Sequence, residues 1–186
     1  MKARQTLFNR IVAAFLLLAA ATLPALGQTA RLDDLFGKLQ DADPTSAPGI
    51  EQEIWNEWSK SGSPAMDLLL IRGRKAMEEG DTQAAIEHLT ALVDHAPDFA
   101  EGWNSLATAY FEAGELGPSI DAIAKTLTLN PRHFGALTGL GMIFEELGDK
   151  QRAIAAYKAA LEVDPWLQNA KESVKRLEAE TGGQEL

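Results

Sequence analysis

From Leu69 onward the apolar positions recur on two scales. Within a stretch they fall at offsets of three, four and seven, as in Leu69, Gly73 and Ala76 or Trp103, Ala107 and Tyr110. That spacing draws the stripe of an amphipathic helix. The stripe then returns every 34 residues, through Leu69, Trp103 and Leu137, Ala76, Tyr110 and Phe144, Ile86, Ile120 and Ile154, and Leu89, Ile123 and Tyr157. Small residues keep the register at Gly73, Ala107 and Gly141, where a second helix can approach the first. Gly80, Gly114 and Gly148 each follow a first helix, where a left-handed residue closes it at little cost. Asp81 suits the N-cap of the helix after that turn. Pro97, Pro131 and Pro165 mark the passage to the next unit, because the residue before proline resists helix and proline suits a helix start.

This repeat resembles the tetratricopeptide family, whose 34-residue helix–turn–helix carries a W-x₂-L-G-x₂-Y…A-x₃-F…P signature. The second unit matches through Trp103, Leu106, Tyr110 and Pro131, the third through Leu140, Gly141, Phe144, Ala153, Tyr157, Ala160 and Pro165, and the first through Gly73, Ala85, Leu89 and Pro97. The repeats are read as residues 66–99, 100–133 and 134–167 within a segment 64–167. Ser119 replaces the alanine kept at Ala85 and Ala153, and Leu92 and Thr126 replace the small residue kept at Ala160. The resemblance implies an all-α fold, a right-handed superhelix of helix–turn–helix repeats.

An array must hide an apolar face at each end. Residues 168–186 are read as a C-terminal cap helix and tail, with Leu167, Ala170, Val174 and Leu177 on the buried stripe. Before the repeats, Leu32, Leu35, Phe36 and Leu39 are helically spaced, as are Ile50, Ile54, Trp55 and Trp58, around a turn-rich loop over residues 41–49. Residues 28–63 are therefore read as a degenerate, repeat-like helical hairpin that covers the front of the array. Trp55 and Trp58 either pack within it or form an exposed docking surface. Ser63 is placed at the N-cap of the next helix and Pro64 at its first position.

Residues 1–27 differ from everything downstream. A basic start (Lys2, Arg4, Arg10), an apolar run from Ile11 to Leu23 and a small-residue end at Ala25, Leu26 and Gly27 have the order of a secretory signal peptide. Cleavage after Gly27 would leave a periplasmic or secreted protein. Retention of the segment would leave one anchored in the inner membrane, facing the periplasm.

Charge and chemistry narrow the function classes. Net charge is −10, and three of the 17 cations lie in the leader, leaving 14 against 27 acids, a surface that repels a phosphate backbone. The chain has no cysteine, hence no disulfide, thiolate zinc site or thiol nucleophile. His88 and His95 are seven residues apart, too far for paired metal ligation on a helix, and His133 falls in the turn after Pro131. No phosphate-binding loop or nucleophile motif occurs. The recurring Glu78, Glu112, Glu145 and Glu146 are read as a solvated face. No enzyme, cofactor, metal or small-molecule substrate is expected.

The resemblance implies instead that the first helices line a concave groove that binds protein. Groove positions singled out on that basis are Arg74, Met77, Asn104, Thr108, Phe111, Thr138 and Met142. Glu101 and Ser105 are groove positions by the same mapping. Family members that clamp a C-terminal carboxylate use lysine, asparagine and arginine at positions occupied here by Leu70, Arg74, Ser105, Gly135 and Gly139, of which only Arg74 is basic. The expected function is that of an exported scaffold or adaptor that binds a protein or peptide segment, possible basic partners included, in cell-envelope assembly or maturation. The alternative is a membrane-tethered assembly factor. Self-association through stacked repeat faces stays open.

Overall fold

The computed structural model describes residues 29–182. The leader over residues 1–27 and the last four residues of the tail lie outside the described residues. Those described form nine helices: α1 (29–40), α2 (Ala47–Trp58), α3 (Pro64–Glu78), α4 (Thr82–His95), α5 (Ala100–Glu112), α6 (Leu116–Leu129), α7 (Phe134–Glu146), α8 (Lys150–Val163) and α9 (Gln168–Gly182).

Helices α3 to α8 are three antiparallel pairs in the register of the 34-residue period. Each first helix ends on a glycine with positive φ: Gly80 (77°), Gly114 (76°) and Gly148 (73°). Beyond each glycine an amide reaches back to the last turn, as in Asp81 N to Ala76 O at 2.9 Å and Asp149 N to Phe144 O at 2.8 Å. These bonds satisfy carbonyls that a helix end leaves open. Asp81 and Asp149 then cap α4 and α8, accepting from Ala84 N and Arg152 N at 3.0 Å each. Glu115 holds the same position before α6 without a side-chain cap.

Small residues set the spacing within pairs. A Cβ added at Gly73 would lie 2.5 Å from Leu89 Cγ, and one at Gly141 would lie 2.6 Å from Tyr157 Cε1. Ser119, the departure from alanine, is buried and donates to the Ala107 carbonyl at 2.8 Å, so α6 still packs closely on α5. Thr126 turns its hydroxyl onto the Ala122 carbonyl of its own helix. The first helices of successive pairs also touch, α3 with α5 and α5 with α7, and so line the inner side of the curve. At the far end α9 closes the array by burying Ala170 and Leu177 against Ala153, Ile154 and Tyr157.

The entry to α3 differs in detail from the sequence expectation. Ser63 occupies the N-cap position but its side chain caps nothing. Ser61, two residues upstream of that position, braces the turn instead: its amide and hydroxyl both donate to Asp67 Oδ1 at 2.8 and 2.5 Å, and its Oγ accepts from Ser63 N.

The α1–α2 hairpin does not sit at the front of the array. Leu35, Phe36 and Leu39 of α1 and Ala47, Ile54 and Trp58 of α2 form one buried cluster with Phe134, the first residue of α7. The loop end of the hairpin reaches the opposite end of the array: Trp166 Nε1 donates to Leu39 O at 3.0 Å, and Gln40 Nε2 to Val163 O at 2.9 Å. Arg132 bonds Asp33 at 2.6 Å and lies over the Phe36 ring at 4.4 Å. The hairpin thus runs along the inter-repeat turns, over the N-terminal ends of α5 and α7. The reason is chemical: its apolar residues meet Phe134 and Trp166, aromatic groups at the turns, rather than the front of α3. Leu68 and Ile71 stay exposed on that front.

Candidate functional site

Laid in this way, the hairpin turns an open groove into a half-closed one. A cavity of about 260 Å³ remains between α2 and the first helices of the second and third units. Glu51 and Trp55 of α2 form one wall. Asn104, Thr108 and Phe111 of α5 and Thr138, Gly139 and Met142 of α7 form the other, with Ile123 at the back and Leu167 and Asn169 at one end. The walls are mainly apolar. The volume falls just below the ~300 Å³ at which small-ligand sites usually begin, so it has room for one or two side chains and not for a helix.

Trp55 belongs to the wall because Gly135 lets it in. A Cβ at 135 would stand 2.5 Å from Trp55 Cη2. The Trp55 ring meets Phe134, His133 and Trp58 edge-on, with centroids 5.5, 5.5 and 5.1 Å away. Trp58 stacks on the His133 imidazole at 4.1 Å and 15°. These contacts settle the two readings of the tryptophans in favour of packing for Trp58, which is buried, whereas Trp55 packs and also faces the cavity.

Beneath the aromatic stack lies a charged cluster. His133 is 0% exposed and Glu101 2%. His133 Nδ1 accepts from Ala136 N at 3.1 Å and so caps α7. That bond leaves the proton on Nε2, which donates to Glu101 Oε2 at 2.8 Å. Glu101 Oε1 accepts from Arg74 and, at 3.2 Å, from Ser105 Oγ. Burial pushes the Glu101 carboxyl up, but the His133 hydrogen bond and the Arg74 charge outweigh it and hold it below the usual carboxylate range. Arg74 Nη1 also donates to Ser59 Oγ at 3.0 Å, tying the end of α2 to the array.

Comparison with known proteins places this architecture. Family models described as tetratricopeptide repeat match residues 76–125 and 134–165. A TPR repeat-containing protein of Rhizobium etli is 38% identical over 154 residues, which cover 82% of this chain and 76% of that one. The chain belongs to the tetratricopeptide-repeat family. It is also similar to the small glutamine-rich tetratricopeptide repeat-containing protein 2 of Saccharomyces cerevisiae, 26% identical over 130 residues, 70% of this chain and only 37% of that longer protein. Among solved structures, the first TPR of Spaghetti (RPAP3) bound to the HSP90 peptide SRMEEVD has the same fold, with a TM-score of 0.62 at 21% identity, covering 64% of this chain and 98% of that one.

Within this tetratricopeptide array the groove positions named from sequence separate into two groups. Asn104, Thr108, Phe111, Thr138 and Met142 converge on the cavity, with Met142 44% exposed and Thr138 bonding its hydroxyl to Phe134 O at 2.8 Å. Arg74 and Met77 do not join them. Arg74 is committed to Glu101 and Ser59, and Met77 packs against the core of the first repeat. Glu101 and Ser105, expected to be free for a ligand, are buried instead. Glu145 is not simply solvated either: Tyr157 and Arg176 donate to it at 2.7 and 2.5 Å. Among the described residues no group of three or more His, Asp or Glu side chains is placed to hold a metal.

Sequence reasoning missed Glu51 and Trp55 as wall residues, and the Glu101–His133–Arg74 cluster. The missed signal for Trp55 was Gly135, an unexplained glycine one residue into a helix. His133 carried a signal as well, since it sits where a helix N-cap is needed.

Proposed function

We propose that the protein is an exported adaptor that holds a short segment of a partner protein in its half-closed groove, with no catalytic step. The observation that carries this reading is the cavity itself: an apolar recess with Trp55, Phe111 and Met142 on its walls and Asn104 and Thr108 among them to orient a peptide backbone. The fold of the RPAP3 domain, which binds a peptide, supports the class of ligand. A terminal-carboxylate clamp is not the mode proposed, because the basic groove position here, Arg74, is already neutralised by Glu101. Export rests on the leader pattern of residues 1–27. No helix among the described residues is long and apolar enough to cross a membrane.

The test is a photocrosslinking amino acid at Thr108 in the full-length chain, expressed in its native host. A discrete adduct, absent when Gly139→Leu fills the cavity and found in the periplasmic or secreted fraction, is the expected result. Adducts that persist with Gly139→Leu, or that arise only from a probe at Ile71 on the exposed front of α3, would move the binding surface away from the groove. A mature protein that still begins at Met1 would replace the exported adaptor with a membrane-tethered one.

A further inference from the structure

The cavity wall supplied by α2 carries one charged group, Glu51, one helical turn from Trp55 and on the same face. Among the described residues Glu51 makes no ion pair or hydrogen bond. Two carboxylates of the first helices are paired instead: Glu101 with Arg74 and His133, and Glu145 with Arg176 and Tyr157. The local field does not compensate Glu51 either. The group that acts on it is another carboxylate, Asp164, which is fully buried between α8 and α9 and has no partner for Oδ2. Lys171 rests over the Trp166 ring at 5.1 Å and acts on Asp164 rather than on Glu51. Burial and then the Asp164 charge both push the Glu51 carboxyl up, as expected of an anion that lacks its counter-charge.

Resting on the groove reading above, we infer that the site selects a partner segment that places an apolar side chain in the cavity and a lysine or arginine beside Glu51. The cavity has room for such a side chain, and apart from Glu51 its lining residues carry no charge. An adjacent cation would meet an uncompensated carboxylate at the mouth, half out of water, where the attraction is stronger than at an open surface. Trp55 next to Glu51 adds an aromatic ring that a cation tolerates well. An acidic segment would meet the reverse, the Glu51 carboxylate with the buried Asp164 charge behind it. The specificity therefore comes from the hairpin, which lies outside the repeats, and not from the repeat signature.

The probes are three small molecules of one shape: 2-phenylethylammonium, 2-phenylethanol and 3-phenylpropionate. Each is titrated into the isotope-labelled full-length chain at neutral pH and followed by the amide and indole shifts of Trp55, Gly139 and Thr108. The expected result is that all binding localises to these residues and is lost with Gly139→Leu. The ammonium should bind at least tenfold tighter than the alcohol, and the propionate more weakly than both. Glu51→Gln should bring the ammonium to the level of the alcohol and leave the alcohol unchanged, and high salt should narrow the gap. Equal binding of alcohol and ammonium, or a preference that survives Glu51→Gln, would overturn the cation preference while leaving the groove reading in place. Shifts from none of the three, or shifts indifferent to Gly139→Leu, would overturn the cavity as a ligand site and both readings with it.

Discussion

Replacing Glu101 by glutamine tests whether the buried cluster, rather than the repeat packing alone, holds the hairpin on the array. The carboxylate accepts from His133 at 2.8 Å, from Arg74, from Ser105 at 3.2 Å and, more weakly, from the Asn104 amide at 3.4 Å. Glutamine retains one oxygen and sets an amino group against one of the two main donors. Arg74, 36% exposed, can turn toward water. His133 cannot, since it is fully buried under Trp58 and its Nδ1 is bound to the Ala136 amide. The loss therefore includes one charge-assisted bond, about 1.5–3 kcal/mol, and part of the penalty for opposed buried donors. Removing one partner of a buried pair costs about 3–5 kcal/mol when the other is trapped. With Arg74 free to be solvated, about 2–4 kcal/mol is expected.

At an m-value near 2 kcal/mol/M, that loss lowers the urea midpoint of the full-length chain by about 1–2 M. Tryptophan fluorescence should report it, because Trp55 and Trp58 both touch His133. Acid should act in the same direction. The folded carboxyl of Glu101 titrates below its unfolded value, so its contribution is complete above about pH 4.3 and is lost as pH falls through the folded value. The glutamine variant should lack that part of the acid sensitivity. Arg74→Met should cost at least about 1 kcal/mol less in the Glu101→Gln background than in the parent. A Glu101→Gln variant within about 0.5 kcal/mol of the parent, or strictly additive effects, would refute the cluster as the anchor.

Gly135→Ala should force Trp55 off α7 and destabilise by about 1–3 kcal/mol, with a changed near-UV dichroism. Gly139→Ala, whose Cβ would meet Ile123 Cδ1 at an ordinary 3.7 Å, should leave the dichroism unchanged and, through helix propensity, stabilise by about 0.5–1 kcal/mol. Asp164→Asn should raise the urea midpoint. It keeps the acceptor for Trp166 N while removing a buried charge whose second oxygen has no partner and whose carboxyl burial pushes up, a gain of about 1 kcal/mol.

The repeat region was legible because each of its devices is local and recurs three times. Gly80, Gly114 and Gly148 sit where a positive φ is required, and Gly73 and Gly141 sit where a Cβ would strike the partner helix, so a period in the letters became a period in space. The helical character of residues 29–58 was legible for the same reason, from spacing alone. Its docking was not. Periodicity identifies an apolar face but not what covers it, and many contacts that hold the hairpin join residues far apart in the chain, as in Arg132 with Asp33 and Trp166 with Leu39. The groove residues divided along the same line. Thr108, Phe111 and Met142 follow from the repeat, whereas Arg74 and Glu101 were drawn out of the groove by His133, whose partner cannot be read from its neighbours in the chain.

That docking changes what the array can bind. A bare concave surface is long, shallow and tolerant, and its ligand is chosen by many weak contacts along the first helices. Here the N-terminal ends of α5 and α7 already carry Trp55 and Trp58, and the ordering of that half of the groove is accomplished during folding. A partner then meets a small preformed recess. It gives up less order on arrival and gains less contact area, which favours a short segment with one anchoring side chain over an extended helix. Specificity follows from the same economy. With so few contacts, one uncompensated carboxylate at the mouth weighs more than it would along an open groove, and Glu51 becomes the residue through which a change in the hairpin could redirect the array to a different partner without altering a single position of the repeat.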